Sequence, residues 1–257
     1  MNKTRRLGRL FGNDGKCLVV AMDHAGFMDK PLRGLEQPAE LIRSVVQAGA
    51  DSVLITRGSA ERYADAIGRA GLWLSVDTDL SWLERIAETA LALSEDGVKC
   101  IVYPSWDEKP NSLAQLAALT ADCRRWNIPV MAEVIPGGFL ASAEMRTAEK
   151  IAAGARVAFE AGADVIKTFY TGDANLFRAV VEYCPAPIVV LGGERAANDR
   201  ELLNGVRDAL GAGAAGVAIG RNIWQHPQPQ KITAALAALI HRGVSVEDAL
   251  SLNGLNT

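Results

Sequence analysis

"AEKIAAGARVAFEAGADVIKTFY", residues 148–170, contains the unit from which this chain is built. Its first part repeats apolar residues at three- and four-residue spacing, as one buried helix face requires. Gly162 then interrupts the pattern where a left-handed helix end costs least, and a short apolar run follows. The same succession of helix, turn and strand recurs along the chain. Strands are predicted over 17–23, 52–57, 72–77, 98–103, 129–135, 164–170, 187–193 and 216–220, with amphipathic segments such as "PAELIRSVVQAGA" between them. Eight strands alternating with helices within about 250 residues is the count of a (β/α)8 TIM barrel, an α/β fold with a parallel sheet. A doubly wound open sheet is the alternative, but no GxGxxG follows the first strand.

At 257 residues and 49% hydrophobic content, the chain can bury a large core. No linker, low-complexity tract or long run of like charge divides it, so residues 1–257 are read as a single barrel domain. "MNKTRRLGRLF" reads as a solvated N-terminal helix packed by Leu7, Leu10 and Phe11, with no apolar stretch behind it long enough for a signal or membrane segment. "ITAALAALIHRG" and "SVEDALSLNGLNT" read as a C-terminal helical tail whose second helix opens on a Ser245-x-x-Asp248 capping pattern. The net charge of −3 gives no reason to expect nucleic acid. Cys17, Cys100, Cys123 and Cys184 are far apart in sequence and read as buried thiols of a cytoplasmic protein.

In such a barrel, alternate residues of each strand point inward and functional groups gather at the C-terminal strand ends. Val165, Lys167 and Phe169 share one parity, so a lysine falls inside an otherwise apolar strand. A buried ammonium must be paired or neutralised. Asp23 closes the parity series Cys17, Val19, Ala21, and Glu133 lies between Met131 and Ile135 in strand five. One lysine and two carboxylates can thus converge. A neutral amine attacks ketones, and an adjacent acid or base moves the protons that imine formation demands. A purely structural ion pair is the other reading of the same three residues.

The loops after strands seven and eight, where barrels commonly hold phosphate, carry "LGGE" (191–194) and "GVAIGRN" (216–222). Gly192, Gly193 and Gly220 let backbone N–H groups approach phosphate oxygens, and Arg221 can add a charged contact.

"VVAMDHAG", "PLRGLEQP", "GADSVLITRG", "CIVYPS", "GADVIKTFY", "VVLGG" and "GVAIGRNIWQHP" occur in the order seen in the archaeal-type class I fructose-bisphosphate aldolases of the deoxyribose-phosphate aldolase superfamily, which the chain resembles from about residue 5 to residue 228. The resemblance implies a (β/α)8 barrel that forms a Schiff base with a phosphorylated ketose, uses no metal or other cofactor, and assembles into homo-oligomers. It implies Lys167 as the imine-forming lysine, Asp23 as its acid/base, and Gly192, Gly193, Gly220 and Arg221 as the phosphate site. One position departs from the family pattern. Where fructose-bisphosphate members carry a proton-exchanging tyrosine, this chain has Ile135. Glu133 is the candidate substitute, and relatives acting on other phosphorylated compounds, such as the thiolase-like enzyme of the phosphorylated autoinducer-2 sugar, also lack the tyrosine.

His24, Arg57 and Tyr103 stand at other strand ends as candidate substrate contacts, Tyr103 also as an alternative proton donor. "DTD" (77–79) raises a magnesium reading that turn chemistry explains equally, and three histidines in the whole chain make a multi-histidine zinc site hard to assemble. The expected function is a class I aldolase or lyase acting on a small phosphorylated ketose, with no nucleic-acid or membrane partner. Its rivals are acyl transfer to coenzyme A by the same lysine and a non-catalytic phospho-sugar binding protein.

Overall fold

The computed structural model describes residues 4–29, 31–77, 85–105 and 107–255. Strands β1 (Cys17–Ala21), β2 (Ser52–Thr56), β3 (Gly71–Ser75), β4 (Gly97–Val102), β5 (Val130–Val134), β6 (Val165–Thr168), β7 (Ile188–Leu191) and β8 (Gly216–Ile219) close a parallel barrel in sequence order, β8 pairing back onto β1. All eight predicted strands are present. Each stops one or two residues short of its predicted C-terminal end. Asp23 accordingly opens a 3-10 turn, Asp23–Gly26, instead of closing β1, and Tyr103 lies one residue beyond β4.

Helices α1 (Thr4–Leu10), α2 (Pro38–Gln47), α3 (Arg57–Ile67), α4 (Ile86–Ala92), α5 (Ser112–Arg125), α6 (Ala148–Glu160), α7 (Ala174–Tyr183), α8 (Asp199–Gly211), α9 (Arg221–Trp224), α10 (Pro229–Arg242) and α11 (Val246–Leu252) accompany the strands. The outward strand residues, among them Val20, Val53, Val130 and Ile166, form one core with the apolar helix faces. Inside the barrel, Cys17, Val19, Leu54, Trp73, Met131, Val165 and Val189 fill the lower layers. Gly97 makes room there, since a Cβ on it would stand 2.4 Å from the Trp73 ring.

Helix α1 closes the N-terminal end. Leu10 is fully buried against the interior cluster with Leu7 and Phe11 beside it, while Arg9 pairs with Asp96 and Arg6 donates to the Glu95 carbonyl. At α11, Ser245 Oγ accepts from the Asp248 N–H at 3.0 Å and donates to its carboxylate at 2.8 Å, the expected cap. All four cysteines are buried free thiols. Among the described residues no helix is long and apolar enough to cross a membrane.

Candidate active site

The inward parity of β6 puts Lys167 in the barrel, and the register puts it directly beside Glu133 of β5. Parallel neighbours stand about 4.8 Å apart, so two side chains on one face must meet. Lys167 Nζ donates to Glu133 Oε1 at 2.8 Å, and both residues are buried. Asp23 does not reach Lys167 with a direct bond. Its Oδ2 accepts instead from Lys99 Nζ at 3.0 Å, and its Oδ1 is buried without a hydrogen-bond partner.

Lys99 of β4 is the centre of this floor. Its fully buried ammonium reaches Asp23, Asp77 at 2.6 Å and Glu133 Oε2 at 2.6 Å. Asp77 also accepts from Ser75 Oγ at 3.0 Å and from the Ile101 N–H. Burial drives the Lys99 ammonium toward neutrality, but Asp23, Asp77 and Glu133 outweigh it and hold it well above the usual lysine range. Burial would raise Asp23 and Glu133 in turn. Lys99 and Lys167 bring both below the usual carboxylate range, with His24 adding to the effect on Asp23. Asp77 differs from the other two carboxylates: burial raises its pKa despite Lys99, so its ionised form is the least favoured of the three. Asp77 is in contact with Lys99 at 2.6 Å, while Asp79, the other half of the magnesium reading, lies outside the described residues. Among the described residues no group of three or more His, Cys, Asp or Glu is arranged to hold a metal ion.

Above this floor opens a cavity of about 600 Å³. Lys167, Asp23, Glu133, His24, Tyr103, Gly192, Gly193, Gly220 and Arg221 all line it. Arg57 does not. Helix α3 begins at Arg57 itself, and its half-exposed guanidinium pairs with Glu61 one turn on at 2.7 Å, so the expected substrate contact is not brought to the cavity. His24 stacks edge-on to Trp224 at 5.5 Å, and burial lowers its pKa, which keeps the imidazole neutral. Burial pushes the Tyr103 phenol up to about 12, with Asp77 and Glu133 adding to the effect.

On the β7–β8 side, Gly220 has no room for a side chain, because a Cβ would lie 2.6 Å from His24 and 2.7 Å from the Ala21 carbonyl. Gly193 adopts φ 57°, open to left-handed backbone. Arg221 donates to the Gly193 carbonyl at 2.7 Å and keeps a buried Nε without a partner. Asn222, buried beneath them, donates to the Gly192 carbonyl at 3.0 Å and the Glu194 carbonyl at 3.1 Å, and accepts from the Ala196 N–H at 2.7 Å. It ties the two loops into one unit.

Four residues of the site escaped the sequence reading. Lys99 carried a readable signal, since it shares the inward parity of Tyr103 and interrupts an apolar strand just as Lys167 does. Asn222 had only its place in "GRN". Lys109 and Arg146 reach the mouth from loops whose course no periodicity fixes. Arg146 stacks 4.6 Å over the Phe169 ring and donates to the Phe139 carbonyl at 2.8 Å.

A family model for the DeoC/LacD family aldolases matches residues 17–226. The 2-amino-3,7-dideoxy-D-threo-hept-6-ulosonate synthase of Halobacterium salinarum is 36% identical over 261 residues, which cover 98% of this chain and 97% of that protein. The class 1 fructose-bisphosphate aldolase of Thermoproteus tenax is 31% identical over 264 residues, covering 98% and 99%. A solved archaeal fructose-1,6-bisphosphate aldolase, its catalytic lysine covalently bound to the carbinolamine intermediate, is 30% identical and superimposes with a TM-score of 0.79 over 93% of this chain and 99% of its own. With a lysine at the base of a barrel cavity and these relatives along nearly its whole length, the chain belongs to the DeoC/LacD aldolases, the class I enzymes that work through a Schiff base and need no metal.

Proposed function

We propose that the chain makes or breaks a carbon–carbon bond in a small phosphorylated ketose or keto compound, with Lys167 as the imine-forming residue. The observation that carries this reading is the Lys167–Glu133 contact at the bottom of a cavity whose rim bears Gly192, Gly193, Gly220 and Arg221. Glu133 takes the proton that Lys167 Nζ sheds before attacking the carbonyl, and returns it to the carbonyl oxygen as the carbinolamine forms. Lys99 compensates the carboxylate charge throughout. Asp23, whose Oδ1 has no hydrogen bond and lies 3.6 Å from His24 Nδ1, accepts a second proton from the nitrogen and returns it to the carbinolamine hydroxyl as water leaves. The iminium nitrogen then receives the electron pair of the breaking bond. Phosphate held by the β7 and β8 loops fixes the carbonyl over Lys167, so binding far from the reacting carbon lowers the barrier there.

The opposite side of the mouth suits a second charged end. Among the described residues neither Lys109 nor Arg146 has a carboxylate partner, whereas both lysines of the floor do. A second phosphate or a carboxylate matches them. The Halobacterium relative is named for an ulosonate, a keto acid. We read the protein as cytoplasmic and as a homo-oligomer, with the exposed Val157, Leu176 and Tyr183 of α6 and α7 available to a second copy.

Borohydride reduction in the presence of dihydroxyacetone phosphate tests the chemistry. A mass adduct on the peptide carrying Lys167 is the expected result, and folded protein that binds this phosphate without an adduct overturns the reading. Product analysis with and without coenzyme A separates aldol cleavage from acyl transfer.

A further inference from the structure

Tyr103 stands beside the place where a proton must move. Ile101 pairs with Glu133 and Val102 with Val134 across the β4–β5 ladder, and the Ile135 N–H donates to the Val102 carbonyl at 2.9 Å. The next step of that register sets Tyr103 beside Ile135, one side-chain layer above Lys167 and Glu133. Two residues of strand rise by about 6.6 Å. A substrate held as an imine on Lys167 therefore carries its third and fourth carbons up to the level of the Tyr103 phenol.

The carboxylates below serve the nitrogen end, one side-chain layer beneath the carbon–carbon bond. Both oxygens of Glu133 accept from lysines, and Asp23 is bound to Lys99. Ile135 is fully buried and has no proton to exchange. Among the described residues lining the cavity, Tyr103 alone bears a hydroxyl, and its ring is held edge-on to Phe139 at 6.2 Å.

We infer that Tyr103 is the catalytic acid and base of the carbon–carbon bond step, acting on the hydroxyl of the substrate carbon that becomes, or derives from, the aldehyde. The inference rests on imine formation at Lys167. In condensation, the enamine carbon attacks the aldehyde carbon and its C=C electron pair forms the new bond. The aldehyde π pair moves to oxygen, which takes the phenolic proton, and nitrogen becomes the iminium. Water reprotonates the phenolate. Cleavage runs the same path backward: water first takes the phenolic proton, and the phenolate then accepts the hydroxyl proton as the C–C pair returns to the iminium. A phenol whose pKa lies near 12 is protonated at neutral pH and ready for the forward transfer.

The test is Tyr103→Phe, which keeps the ring and removes the proton. Two reactions are followed in the variant and the wild type. The first is enamine formation, read by borohydride trapping on Lys167 and by exchange of the dihydroxyacetone phosphate α-hydrogen with deuterated water. The second is cleavage of whichever ketose in a phosphorylated panel the wild type turns over fastest. The expected result is trapping and exchange within about twofold of wild type and cleavage slowed about 10²–10⁴-fold. Cleavage at the wild-type rate overturns the inference. Equal loss of exchange and cleavage also overturns it, because Tyr103 would then only hold the site together. Absence of trapping in the wild type is a separate outcome, which removes the Schiff-base reading and the phenol's role with it.

Discussion

Lys99 and Lys167 share one carboxylate: Glu133 binds the first ammonium through Oε2 at 2.6 Å and the second amine through Oε1 at 2.8 Å. A single side chain thus joins the cation at the centre of the floor to the lysine proposed as nucleophile. Whatever proton Lys167 gives up arrives on a group already compensated by Lys99, so charge separation in the low-dielectric interior stays small.

Lys99→Met removes that compensation and leaves three buried carboxylates with one cation. Breaking a buried pair in this way costs about 3–5 kcal/mol. The variant is expected to melt several degrees below wild type. Loss of the ammonium also lets the pKa values of Asp23 and Glu133 rise, so the acidic limb of the kcat/KM profile moves to higher pH. A profile that does not move would detach Lys99 from proton transfer and leave it a structural charge.

Asp23→Asn keeps the shape and a polar contact to Lys99 but cannot accept a proton. Turnover is expected to fall at least about 100-fold with the melting temperature nearly unchanged. Wild-type turnover in this variant would remove Asp23 from the mechanism.

Arg146→Ala tests the far side of the mouth. A substrate with two anionic ends should lose about tenfold or more in kcat/KM, in line with one lost charge-assisted contact. A ketose with a single phosphate should be nearly unaffected. Equal loss for both classes would make Arg146 a support of the Phe139 and Phe169 wall and nothing more.

Asn222→Ala removes three hydrogen bonds between the β7 and β8 loops without touching the floor. Affinity for inorganic phosphate, measured by calorimetry, should weaken about tenfold while borohydride trapping at saturating ligand persists. Unchanged phosphate affinity would place the anion elsewhere.

Glu95 offers a test away from the cavity. Its side chain is buried at the N-terminal end, neither oxygen has a hydrogen-bond partner, and burial with Asp96 nearby raises its pKa to about 9. Between the ordinary carboxylate value and about 9, the folded state binds a proton the unfolded state has released, so stability falls as pH rises through that window. Glu95→Gln is expected to flatten this dependence, raising the melting temperature by several degrees at pH 8 and far less at pH 5. A gain of equal size at both pH values would count against a neutral Glu95.

Strand parity made most of the site legible in advance. Glycine-punctuated apolar runs located the eight strands, and alternation within them pointed Lys167, Glu133 and Phe169 into one cavity. The same alternation in "VKCIVY" already held Lys99. Lys99 lies in the first half of β4, away from the strand end where barrel function gathers, so only the cost of burying a lysine points to it. Arg57 shows the opposite failure. Strand alternation places it at the mouth as the last residue of 52–57, but the chain turns into α3 there, and helical geometry directs the side chain to Glu61. Arg146 and Lys109 depend on loop paths that local sequence does not encode.

The Trp73 indole seated over Gly97, with Leu10 wedged beneath the interior cluster, has a consequence for traffic. The barrel is a cup with a sealed base. Among the described residues the cavity over Lys167 opens at the rim, and a molecule bound there comes and goes that way. With the imine on Lys167 as proposed, the fragment freed of the lysine lies nearer the opening and is expected to depart first, while the fragment still tethered through nitrogen waits behind it. Release is ordered by depth alone. The tethered product competes directly with incoming ketose, and the untethered one does so only when it re-enters an occupied cup.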